Sequence, residues 1–114
     1  MIDYHKELVS ALGEILPTHY ELNLTNKTAP CISYQERDNS AQETGDTLGY
    51  SRISYTIKVW DRDMSAIQEY CKEIDNKLRP LGWKRVSVNE LHDPNSSMIQ
   101  KIMTYEATGL EYFN

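Results

Sequence analysis

The stretch YSRISYTIKVW, residues 50–60, constrains the fold more than any other part of the chain. Ile53, Tyr55, Ile57 and Val59 alternate with Ser54, Thr56 and Lys58. An extended backbone sends alternate side chains to opposite sides, so this pattern predicts a strand with one apolar and one polar face. After Trp60 the period changes within a few residues. Ile67, Cys71, Ile74 and Leu78 recur at steps of three and four, which predicts an amphipathic helix directly behind the strand. Asp63 and Ser65 both suit its N-cap, and Ser65 with Gln68 matches a capping box. Lys77 and Arg79 suit its negative end, and Pro80 and Gly82 close it. Each of these elements has one apolar side, and the economical arrangement packs the two together.

The flanking segments follow the same logic. Tyr4, Leu8, Leu12, Ile15 and Leu16 predict a first helix over 3–16, with Asp3 as its cap and Pro17 as its stop. A short strand is expected over 19–24, with Tyr20, Leu22 and Leu24 on one face. Another is expected over 29–36, with Ile32 and Tyr34 inward and Pro30 near its start. Residues 37–49, RDNSAQETGDTLG, show no period and read as a long loop, functional or disordered. GWKRVSVNEL suggests a fourth strand with Val86 and Val88 inward. Residues 89–97 read as a second loop, and 98–113 as a last strand. Few connections are helical crossovers. The expected fold is therefore α+β: a single domain over 1–114, with a mostly antiparallel β-sheet of about four to five strands and two main helices packed on it.

Charge narrows the function classes. The chain has 17 acidic and 12 basic residues, for a net charge of -5. Tight nucleic-acid binding needs clustered Lys and Arg, so specific DNA or RNA recognition is not expected. No window approaches the length of a membrane span, and the first residues lack the pattern of a secretory signal. Cys31 and Cys71 are too few for a disulfide scaffold and read as reduced thiols of a cytosolic protein.

A search for reactive constellations returns little. His5, His19 and His92 lie in separate segments, without a partner at metal-ligand spacing. Asp61 and Asp63 form a D-x-D at the strand–helix junction, where either metal binding or helix capping accounts for them. The His92-Asp93-Pro94 run, followed by Asn95 and two serines, has turn composition. Cys71 sits on an apolar helix stripe and reads as a small core residue. No nucleophile elbow, dinucleotide fingerprint or phosphate loop occurs. No catalytic, cofactor-binding or metal residue is assigned, and no cofactor is expected. By contrast, eight tyrosines and two tryptophans accompany a single phenylalanine. A tyrosine-rich sheet suits a face that meets another protein, and Tyr55, Trp60 and Tyr105 are its interface candidates. Two other readings stay open: a small ligand-binding or regulatory domain using that face as a pocket, and a metal-dependent enzyme built on Asp61 and Asp63.

The organisation as a whole resembles a known family. A short helix leads to PCISYQE. A polar segment then leads to a strand ending in VWDRD, which runs into MSAIQEYCKEIDNKLRPLGW, and the last strand ends in YEATGLEYF. This pattern, over nearly the whole chain, resembles the tail terminator or tail completion proteins of long-tailed bacteriophages, which join tail to head. The resemblance implies a non-enzymatic virion protein of a phage or prophage, assembled in the cytoplasm of the bacterial host. Such proteins form a ring, typically a hexamer, that terminates the tail tube and docks on the head connector. Its partners would be further copies of itself, the tail tube protein and the head completion or connector protein. DNA would be passing cargo only, and no membrane is implied. Another head–tail connector component is the neighbouring alternative. Within this reading the long strands 50–60 and 98–108 are expected to offer edges to sister copies. Glu36, Asp38, Glu43 and Asp46, taken as a cluster in one polar loop, are candidates for a lumen or docking surface.

Overall fold

The computed structural model describes residues 4–20, 29–43, 48–94 and 96–112. Helix α1 (Tyr4–Gly13) is followed by β1 (Thr18–Tyr20), β2 (Cys31–Glu43) and β3 (Leu48–Asp61). Helix α2 (Met64–Leu78), a 3-10 turn (Arg79–Leu81), β4 (Lys84–His92) and β5 (Ile99–Tyr112) complete the chain. The described strands form one five-stranded sheet in the order β1-β2-β3-β5-β4. Three of its pairings are antiparallel and the β1–β2 pairing is parallel, so the sheet is mixed. The α+β expectation is met. Leu22 and Leu24 of the expected first strand lie outside the described residues, as does Asp3.

The opening alternation decides how the layers stack. Tyr55, Ile57 and Val59 of β3 are buried, together with Ile32 of β2 and Met103, Tyr105 and Ala107 of β5. They cluster with Leu8 and Leu12 of α1 and with Ile67, Cys71, Ile74 and Leu78 of α2. Both helices therefore lie on one face of the sheet. Full burial of each such aliphatic side chain is worth roughly 1.5–3 kcal/mol, so this face carries most of the stability.

Helix α2 starts two residues earlier than a Ser65 cap requires. Asp63 is the N-cap, and its Oδ1 accepts from Ser65 N at 3.0 Å and Ala66 N at 3.4 Å. Ser65 lies inside the first turn, so the capping box is not the device used. At the other end Gly82 adopts a left-handed φ of 96°, which a side chain would oppose. That reversal lets Trp83 N donate to Leu78 O at 3.1 Å and turns the chain into β4.

Several expectations need correction. Residues 37–43 and 48–49 are strand, not loop: β2 and β3 pair without interruption from Cys31↔Trp60 to Glu43↔Gly49, apart from a bulge between Glu36 and Asp38. Ladder hydrogen bonds come from the backbone, so polar side chains do not prevent them. The second expected loop is shorter too, because 89–92 belong to β4. The strands at 50–60 and 98–108 are not edges, since β3 is paired to β2 and β5, and β5 to β3 and β4. Val86 and Val88 are not inward: they are 45% and 40% exposed. Strand β4 lies at the margin of the sheet, where α2 reaches it from Asp75 to Arg85 but leaves Val86 and Val88 open.

Length explains the elongated shape, 53 × 25 × 22 Å. A 14-residue strand such as β3 spans about 46 Å at ~3.3 Å per residue. The 15 residues of α2 cover only about 22 Å at ~1.5 Å per residue. Past Ile53 and Ala107, β2, β3 and β5 continue as a three-stranded ribbon that the helices are too short to cover.

Candidate functional site

The register defines a second sheet face, opposite the helices. Ser33, Lys58 and Ile102 share it, as do Thr56 with Thr104 and Trp60 with Gln100. Among the described residues no element packs on this face, and most of its side chains are half-buried by one another. Small hydroxyls line its floor: Ser33, Ser54 and Thr104 are buried. The Trp60 indole Nε1 donates to Ser33 Oγ at 2.8 Å, which pins the indole over the strand. At the β2 bulge Arg37 is set apart from the ladder, and its Nη1 donates to Thr104 Oγ1 at 3.4 Å. The result is a flat, mixed polar and apolar surface, built for contact more than for enclosure.

The sheet's long margin is β4. All nine of its residues are exposed, and Val86, Val88 and Leu91 stand 45%, 40% and 56% exposed. Glu90 accepts from Lys101 Nζ at 3.1 Å and pairs with His92 Nε2 at 2.7 Å. His92 and then Lys101 hold the Glu90 carboxyl below the usual carboxylate range. On β2, β1 covers only Ile32, Ser33 and Tyr34, so among the described residues nothing pairs with the outer side of 35–43.

These surfaces rearrange the list of interface candidates. Trp60 lies on the face that no described element covers. Tyr55 and Tyr105 do not, being 3% and 1% exposed and pointed at the helices; the parity of β3 and β5 puts both on the packed side. The Tyr55 hydroxyl meets His5 Nδ1 at 2.9 Å, and its ring packs edge-on to Trp83. The Tyr105 hydroxyl donates to Asp75 of α2, whose other carboxylate oxygen lies 3.3 Å from Arg79 Nη2 and 3.6 Å from Arg85 Nη1. Nothing in the sequence announced this cluster, which joins an α2 carboxylate to residues on β4 and β5. Glu36, Asp38 and Glu43 are not clustered in a loop. They lie along β2, where Glu36 and Glu43 are about 23 Å apart at ~3.3 Å per residue. Asp46 lies outside the described residues.

The alternative chemistries find little support. The Asp61 carboxylate accepts from Arg62 N at 2.7 Å and Asp63 caps α2, so both are engaged with backbone. Among the described residues no group of three potential metal ligands converges. Asp93 organises a turn, with Ser96 Oγ donating to its Oδ2 at 2.8 Å and Ser97 N to its carbonyl at 3.0 Å. Cys31 and Cys71 are free and buried. Burial pushes the Cys71 thiol up to about 11 and raises that of Cys31, which suppresses the reactive thiolate. A groove of about 310 Å³ between α1 and α2, lined by Glu7, Ser10, Glu14 and Lys77 among others, opens widely to solvent. It lacks the enclosure of a small-molecule site. Among the described residues no helix is long and apolar enough to cross a membrane. Neither a protein-family model nor a curated protein matches the chain.

Proposed function

We propose that this protein is a structural subunit of a long-tailed phage or prophage, whose copies form a ring that ends the tail tube and joins it to the head connector. The observation that carries this reading is a sheet finished on one side only. Two helices cover one face, no described element covers the other, and the long margin strand β4 has every residue exposed. Open strand margins are a liability in a solitary protein and an asset in an assembly. Two different margins on one sheet favour contacts between unlike patches, the kind that close into rings. The sequence resemblance supplies the setting. The ribbon beyond Ile53 and Ala107 gives each copy a projecting element that can reach a neighbouring protein. A net charge of -5 suits a wall past which DNA slides without sticking.

The direct test removes the gene from the phage that encodes it. The expected lysate holds filled heads and unjoined tails, and supplying this chain restores whole particles. Complete, infectious virions formed without the chain would overturn the reading.

A further inference from the structure

From the sheet's two margins we infer that the outer side of β2 over residues 35–43, which no described residue pairs, takes the β4 strand of a second copy as an additional antiparallel strand. The inference deepens the ring reading by naming the seam between copies.

Four observations point to a second copy of this chain as the occupant. First, the lengths match. Strand β4 has nine residues, and the part of β2 beyond its described pairing with β1 is equally long. Second, the direction is fixed. Strand β4 is antiparallel to β5, β5 to β3 and β3 to β2, so β4 runs opposite to β2. A copy added in the same orientation therefore presents antiparallel partners, the more stable ladder. Third, with the two segments in register from their outer ends, Lys84 stands opposite Glu43 and offers an ion pair across the seam. Fourth, neither segment contains a proline, the residue that most simply closes a strand edge. Val86, Val88 and Leu91 would lose exposure at such a seam, which gives these apolar side chains on an outer strand a purpose.

The seam joins unlike strands, so each copy offers one donor side and one acceptor side and the chain of contacts continues until it closes. A β4-to-β4 contact would instead stop at a dimer. Directly opposed residues in an antiparallel ladder have Cα atoms roughly 4.5–5.5 Å apart, inside the range of about 4.4–6.8 Å that a disulfide bridges. That permits a sharp test on the full chain.

Lys84→Cys and Glu43→Cys are combined and mildly oxidised, and the products are separated without reductant. The expected result is a ladder of linked dimers, trimers and higher species, absent from either single variant and from Lys84→Cys with Thr56→Cys on the bare face. Separately, Lys84→Glu is expected to weaken self-association by up to about fivefold, and adding Glu43→Lys to restore it. A wild-type protein that associates while the cysteine pair stays unlinked overturns this seam and leaves the ring reading standing. Linked dimers from Lys84→Cys alone overturn it in favour of a β4-to-β4 contact. A wild type that does not associate at all overturns both.

Discussion

Replacing Tyr105 by phenylalanine removes one oxygen from the buried layer between α2 and the sheet. Tyr105 is 1% exposed, and its hydroxyl donates to Asp75. A hydrogen bond to a charged group contributes about 1.5–3 kcal/mol net. The lower end applies, because the Asp75 side chain is 18% exposed and keeps Arg79 and Arg85 as neighbours. Tyr105→Phe should therefore cost about 1.5 kcal/mol, or about 6 °C in Tm for a domain of this size. Asp75→Ala should cost more, about 2–3 kcal/mol, since it leaves a buried hydroxyl without its acceptor. Combining the two should cost less than their sum by about 1 kcal/mol, since they remove one shared contact. Burial first, and Asp75 second, raise the Tyr105 phenol above its ordinary 10.0. The folded state thus holds the phenolic proton more tightly than the unfolded chain. That contribution is complete below pH 10 and is lost as pH rises beyond it. Urea denaturation of the single and double variants measures the coupling, and absorbance titration follows the phenol. A Tyr105→Phe protein within about 0.3 kcal/mol of wild type would refute the assignment, as would ordinary ionisation of every tyrosine.

Three further outcomes are expected. Asp63→Ala should cost about 1 kcal/mol of stability through loss of the α2 cap, and magnesium, manganese or zinc should leave the wild-type Tm unchanged; a rise in Tm with any of them would revive the metal reading of Asp61 and Asp63. Trp60→Phe should cost about 1 kcal/mol by removing the donor to the buried Ser33 hydroxyl, checked by chemical denaturation. Burial raises the Cys71 thiol from 9.0 to about 11, so the folded state binds its proton more tightly. Stability should then fall by about 2 kcal/mol as pH rises from 9 to 11, and Cys71→Ala should flatten that fall.

The packed side of the molecule was legible because hydrophobic spacing reports burial directly. Ile53, Tyr55, Ile57 and Val59 announced β3, and Ile67, Cys71, Ile74 and Leu78 announced α2; the structure packs these two stripes together. The open side was not legible, for the converse reason. Residues 37–43 form a strand through backbone hydrogen bonds that no side-chain period records, so a polar run looked like a loop. Val86 and Val88 alternate as inward residues do, yet both stand exposed on the sheet's margin strand. Alternation reveals which residues share a face. It does not reveal whether anything covers that face. The tyrosines show the same limit, since residue type suggested a wet surface for Tyr55 and Tyr105 while strand parity put both under the helices. The link from Asp75 to Tyr105 and Arg85 brings together residues distant in sequence, with no motif to mark it.

The claim that copies of this chain complete one another is tested most directly by sedimentation velocity of the purified protein, from low micromolar to several hundred micromolar, with electron microscopy of the fastest species. The account predicts a shift with concentration from the elongated single chain to one closed, ring-shaped species. A single chain that sediments unchanged across the whole range would contradict it.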